Sequence, residues 1–295
     1  MSSNPSTQQT QPLWTFAQSR ISRPLSRNRI PEAITGDVVA DLRFYGTTIP
    51  ADISQEQLQT LEPGQWLSAD LCSFYCNEVG NTYLEGAPGR EKDLVVLHSR
   101  TWDLGRGLGG APKRIRSPGA THVLEHKYLV FPGNDSGNHF FLCIVIYPSD
   151  LLYEINPHGP IRTVALILNS LHDLKPRDPQ QKIINILSRL TGGRRIHEDK
   201  LHEIEVYQPL MPQQPNYYDC GLYPGFFLSI FLGKPDAYAA HCMGKTLIEG
   251  STNAIWEHDE IKFSRSWLKR LVMASARIRQ AALDFSTDIP PPNVV

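Results

Sequence analysis

The stretch Gln214-Pro215-Asn216-Tyr217-Tyr218-Asp219-Cys220-Gly221 says more about this chain than any other part of it. A cysteine between an acid and a glycine, six residues after a glutamine, has the parts of an activated thiol site. Cys220 is the candidate nucleophile, and Gly221 lets a neighbouring backbone approach it closely. The Gln214 amide can donate to the oxyanion that forms during acyl transfer. A thiol nucleophile needs a base, and His139 is the candidate. It opens the apolar run 140–147 (Phe140, Phe141, Leu142, Cys143, Ile144, Val145, Ile146, Tyr147), which reads as a buried strand with His139 at its N-terminal edge. A second strand, Val164 to Leu168, ends at Asn169-Ser170, where a side-chain oxygen can accept the imidazole N–H and fix its tautomer. Asp173, four residues on, is the rival for that role.

These residues resemble the ubiquitin-like-protein-specific cysteine proteases, the SUMO (sentrin) protease family. His139, Gln214, Asn216, Asp219, Cys220 and Gly221 fall on its strand-edge His and its Gln-x-Asn-x-x-Asp-Cys-Gly motif. Trp66-Leu67 through Phe74-Tyr75 is similar to the family's opening Trp-Leu-Asn-Asp helix. The wide spacing from His139 to Asn169 is similar to the subclass with an insertion between those strands. Where the family has Asp, Trp and Asn-Asp, this chain has Asn169, Phe140 and Ser68-Ala69. The resemblance covers residues from about 42 to 273. It implies an α+β papain-like fold, with a central mixed sheet packed against helices. It also implies cleavage after the C-terminal Gly-Gly of a ubiquitin-like modifier, SUMO above all, without metal or organic cofactor. Trp66 and Phe140 are expected to form the narrow slot for the Gly-Gly tail, and Asp219 and Gly221 to contact substrate. The alternatives are an inactive SUMO-binding module, or a protease for another ubiquitin-like protein.

A chain of 295 residues is long enough for one large domain with tails, and 41% hydrophobic with 20% charged residues is ordinary for a globular protein. A net charge of −1 points neither to nucleic acid nor to a membrane surface. Five cysteines without metal-ligand spacing argue for a reducing compartment, hence an intracellular protein, nuclear or cytoplasmic. No secretory signal is visible, and the longest apolar run is too short to span a bilayer.

The expected organisation is a disordered tail over 1–35, a catalytic domain over 36–285 and a Pro-rich tail over 286–295. Arg20, Arg23, Arg27 and Arg29 form a basic cluster in the first tail. Short strands are expected over 38–53, then a helix capped by Ser54 with Gln57 at N3, and a helix from Trp66 to Asn77. Residues 81–126 show no firm pattern beyond 94–98, and further strands are expected at 127–131 and 203–207. Helices are expected over 180–190, from Cys220, and over 264–283 with Trp267, Leu271 and Ala274 inward. Histidines other than His139 read as surface or capping residues.

Overall fold

The computed structural model describes residues 55–86, 89–90, 92–106, 123–135 and 139–274. The strands expected over 38–53, the Ser54 cap, the basic cluster and both tails lie outside these residues.

In chain order the elements are α1 (Gln55–Gln59), α2 (Ala69–Glu85), β1 (Leu94–Val96), α3 (Thr101–Leu104), β2 (Tyr128–Asp135), β3 (His139–Ile146), β4 (Val164–Leu168), α4 (Pro179–Arg189), β5 (Glu205–Tyr207), α5 (Tyr223–Gly233), α6 (Pro235–Cys242), α7 (Thr252–Ile255) and α8 (264–274). Short 3₁₀ turns fill several of the connections. The strands form one sheet in the order β1-β2-β3-β4-β5. β1 and β2 pair in parallel, β2–β3 and β3–β4 are antiparallel, and β4–β5 are parallel, so the sheet is mixed.

β3 sits at the centre, and every one of its residues is buried. That explains its sequence: a strand covered on both faces reads as a continuous apolar run rather than an alternation. Phe140, Leu142, Ile144 and Ile146 face α2 and α5, while Phe141, Cys143 and Val145 face the second core with α4 and Trp102. Trp102 meets the Phe141 ring edge-on at 4.9 Å. Two apolar layers therefore clamp the strand that starts at His139.

α2 begins later than the sequence suggests and runs further. Ser68 is its N-cap, with the side-chain oxygen accepting from the Leu71 N–H, and the helix continues to Glu85. Trp66 and Leu67 thus precede the helix rather than form its first turn. Residues Leu71 to Gly80 are all buried, because α2 is packed between the sheet and α5. α5 meets it closely at Gly225, where an added Cβ would lie 2.4 Å from the Tyr75 ring. Any larger residue at 225 would push the two helices apart.

Other elements keep their expected places with shifted ends. β1 stops at Val96, β2 extends past Phe131 to Asp135, and residues 198–203 are 3₁₀ so that β5 is only Glu205–Tyr207. α8 buries Trp267, Leu268 and Val272, with Leu271 only partly covered. The remainder of that expected helix, 275–283, is outside the described residues. The default reading of the histidines fails at His98, His126 and His197, which are buried. His98 Nε2 bonds Asp70 Oδ1 at 2.9 Å, its Nδ1 accepts from the Arg100 N–H, and His197 Nε2 donates to the Asn156 carbonyl. A short-range sequence pattern cannot reveal Asp70 and Asn156 as partners, because they come from distant segments.

Candidate active site

Sheet register delivers two of the expected residues together. β3 and β4 are antiparallel with Leu142 opposite Leu168, so the start of β3 and the end of β4 share one edge of the sheet. There His139 Nε2 and Asn169 Oδ1 are 2.6 Å apart, both residues buried. The Asn169 amide is pinned at both ends: Oδ1 also accepts from the Leu171 N–H, and Nδ2 donates to the Leu174 carbonyl. An oxygen therefore faces the ring, which makes His139 Nε2 the protonated nitrogen of the neutral imidazole. His139 Nδ1 is buried and makes no hydrogen bond among the described residues. Asp173, the rival orienting group, is exposed in the turn beyond.

Cys220 does not open a helix. α5 starts at Tyr223, and Cys220 lies in the turn before it, where the Leu222 N–H donates to the Asp219 carbonyl and the Tyr223 N–H to the Cys220 carbonyl. Pro224 lies in the first turn of α5, where its missing N–H costs no helical hydrogen bond. The thiol is 1% exposed. Burial pushes its pKa above the ordinary value, and the Asp219 charge pushes the same way. Backbone N–H groups of Phe140, Gly221 and Cys220 itself pull it down. Cys72, Cys143 and Cys242 have no such opposing donors; burial pushes Cys242 up to about 12 and the other two well above the ordinary range. Cys220 is thus set apart by donors that favour its thiolate, one of them from the residue next to His139. Burial also lowers the His139 pKa, partly offset by its bond to Asn169. Thiol and imidazole are both biased to their neutral forms.

Gln214 lies beside this pair, its N–H donating to the Ser170 carbonyl and its Oε1 accepting from the Ser170 hydroxyl at 2.6 Å. Its Nε2 donates to the Asn216 carbonyl, which uses one of its two hydrogens. Asn216 in turn organises the turn before the cysteine: Oδ1 accepts from the Tyr218 and Asp219 N–H groups, and Nδ2 donates to Asp219 Oδ2. The other Asp219 oxygen accepts from Arg265 at 2.6 Å. Both carboxylate oxygens of Asp219 are therefore engaged within the protein. A role in shaping the turn fits it better than the expected contact with substrate.

Gly221 is required by Leu67. A Cβ at 221 would lie 2.6 Å from the Leu67 Cβ, so the segment carrying Trp66 packs directly on the residue after Cys220. Trp66 itself is 48% exposed, whereas Phe140 is 4% exposed and part of the core between sheet and helices. Of the two expected slot walls, Trp66 is available to a ligand and Phe140 mainly closes the core beneath.

Residues 111–247 match the model of the Ulp1 protease family, C-terminal catalytic domain. The matched segment is thus similar to the Ulp1 proteases over somewhat under half of the chain. It contains His139, Asn169, Gln214 and Cys220, and leaves Trp66 and Arg265 outside. The chain is 22% identical over 262 residues to ubiquitin-like-specific protease 2 of Schizosaccharomyces pombe, covering 78% of this chain and 41% of that protein. It therefore spans about two fifths of the length of that relative. Among solved structures, a de-sumoylating protease superposes with a TM-score of 0.61 at 18% identity, over 79% of this chain and 90% of the other. That likeness shows the fold, the α+β papain-like one. The Ulp1 protease domain in complex with Smt3, the yeast ortholog of SUMO, is a more distant match, with a TM-score of 0.44 at 16% identity over 75% of this chain and 82% of that one.

Arg265 is the site residue that the sequence did not reveal. It lies 45 positions after Cys220 (265 − 220) on a helix whose pattern shows only an amphipathic face, and no local motif marks it. Among the described residues no group of three or more His, Cys, Asp or Glu side chains is placed to hold a metal, and no helix is long and apolar enough to cross a membrane.

Proposed function

We propose that this protein is a cysteine peptidase that hydrolyses the peptide or isopeptide bond after the C-terminal Gly-Gly of a ubiquitin-like modifier, SUMO in particular. The observation that carries the reading is the pairing of His139 with Asn169 at the sheet end where the N–H of Phe140, the next residue after His139, meets Cys220. The names of the relatives, a ubiquitin-like-specific protease and a de-sumoylating protease, support the substrate class.

The steps follow from the protonation states. Asn169 holds the Nε2 hydrogen of His139, leaving Nδ1 as the base. Nδ1 takes the Cys220 proton as Sγ attacks the glycyl carbonyl carbon, and the carbonyl π electrons move to oxygen. The oxyanion is met by the Cys220 N–H and the second Nε2 hydrogen of Gln214. Collapse expels the amine, which leaves with the proton from His139, and a thioester remains on Cys220. Water then attacks the thioester with His139 again as base, and the proton returns to sulfur. Because both partners start neutral, proton transfer accompanies attack rather than preceding it. A neutral Asn169 suits that course, since it orients the ring without a standing charge.

In this reading Trp66, half exposed and next to the Leu67 that packs on Gly221, walls the approach to Cys220. A tail of two glycines passes such a constriction because it has no Cβ to clash. The test is capture by a panel of ubiquitin-like modifiers, each ending in a Gly-Gly vinyl sulfone. Covalent capture of the SUMO probe ahead of the others, lost in Cys220→Ala, is the expected result. Capture of another modifier in preference moves the substrate assignment. Binding of SUMO without capture establishes an inactive binding module in place of an enzyme.

A further inference from the structure

One guanidinium joins the two halves of the site. Arg265 Nη1 donates to the Thr60 carbonyl at 2.7 Å and the Glu62 carbonyl at 3.1 Å, and Nη2 donates to the Gln65 carbonyl at 2.9 Å and Asp219 Oδ1 at 2.6 Å. The side chain is 12% exposed. Three of these acceptors belong to the turn that leads into Trp66, and the fourth belongs to the residue before Cys220. Asp219 and Arg265 also line a cavity of about 550 Å³ between that turn and α8. From Asp219 the connection continues through Asn216 to Gln214 and on to Ser170, the neighbour of Asn169.

We propose that Arg265 is a positioning residue that holds the Trp66 segment against the Cys220 turn and neutralises the Asp219 carboxylate beside the nucleophile. The proposal rests on the reading of Cys220 as nucleophile and Trp66 as a wall of the tail channel. Its geometry is specific to arginine: one planar fork reaches three backbone carbonyls and a carboxylate at once, which a lysine ammonium cannot do. Its electrostatic part has a sign. Asp219 opposes ionisation of Cys220, and the partner that offsets that charge is Arg265. The other titratable groups here are His139 on β3, Cys72 on α2, Tyr223 on α5, and Glu62, Lys262 and Lys269 around the cavity, with Glu62 and Lys269 paired to each other at 2.6 Å.

The two parts are separated by Arg265→Gln, Arg265→Lys and Asp219→Asn. Alkylation of Cys220 by iodoacetamide is followed against pH by mass spectrometry, and kcat and KM are measured on a Gly-Gly-linked modifier substrate. Arg265→Gln is expected to move the alkylation midpoint to higher pH, and adding Asp219→Asn to return it towards wild type. Arg265→Lys keeps the charge and so the midpoint, but loses roughly tenfold in kcat/KM because the Trp66 segment is no longer held. The proposal is overturned if Arg265→Gln leaves the midpoint unchanged, or if Arg265→Lys retains wild-type kcat/KM. Iodoacetamide needs no modifier, so the midpoint reads Arg265 even if no Gly-Gly probe is captured; absence of capture by the wild type instead overturns the proposed function.

Discussion

His139 Nε2 meets Asn169 Oδ1 at 2.6 Å, while the Asn169 Nδ2 donates to the Leu174 carbonyl. The second bond explains why an amide suits this position. A carboxylate would turn one oxygen towards the ring and the other towards a carbonyl oxygen, so the turn over 171–174 is built for Asn.

Asn169→Asp is therefore expected to have two opposed effects. The charge favours the imidazolium of His139, and the lost donor to Leu174 costs stability, about 1–3 kcal/mol for a buried bond replaced by a repulsive contact. Thermal unfolding should show the loss. Asn169→Ala removes the ring's acceptor and both backbone partners. It should lower kcat/KM by about a hundredfold, or ~2.7 kcal/mol of transition-state stabilisation. Equal kcat/KM in the wild type and Asn169→Ala would show that another group orients the ring.

The pH dependence follows from His139. Its pKa is lowered by burial, and in the proposed mechanism it acts as a base in its neutral form. Activity should rise with pH along an acid limb lying below the ordinary imidazole value of about 6.5. A wild-type acid limb above that value would mean that His139 is not the titrating base. In Asn169→Asp the limb should move to higher pH, because a carboxylate beside the ring favours its protonated form.

Gly221→Ala tests the packing of the Trp66 segment on the nucleophile turn. Its new Cβ meets Leu67 at 2.6 Å, and either the turn or Leu67 must move. A stability loss of about 1–3 kcal/mol is expected, with a larger fractional loss of activity than of folded protein. Leu67→Ala in the Gly221→Ala background should recover part of the activity by making room. An absence of any recovery would place the damage elsewhere.

Much of this arrangement is legible in the sequence because its signals are local. β3 and β4 are apolar runs ended by His139 and Asn169, and antiparallel pairing brings those ends together. Cys220, Gln214 and Gly221 sit within eight residues of one another. The helix boundaries were less legible. Trp66 and Leu67 extend the apolar pattern of α2 back past its true cap at Ser68, and Pro224 bounds the start of α5 only to within a few residues, so Cys220 reads like its first residue although the helix begins at Tyr223. Arg265 and the buried His98 were not legible, because each owes its role to partners brought by the fold from distant segments.

The tail channel is tested by the substrate. With Trp66 as the proposed wall of the channel, changing the penultimate glycine of the modifier to alanine adds one Cβ inside it, and should reduce kcat/KM by at least about a hundredfold. Equal turnover of Gly-Gly and Ala-Gly tails would show that no such constriction exists.

The central claim is that Cys220, activated by His139, cleaves after Gly-Gly. Its most direct measurement is the processing of a SUMO precursor extended beyond Gly-Gly by wild type, Cys220→Ser and His139→Ala, with intact mass identifying the product. The account predicts a product ending at the second glycine with wild type alone, and folded but inactive variants. Wild-type processing by Cys220→Ser, or a wild-type product cut at any other bond, is the result the account cannot accommodate.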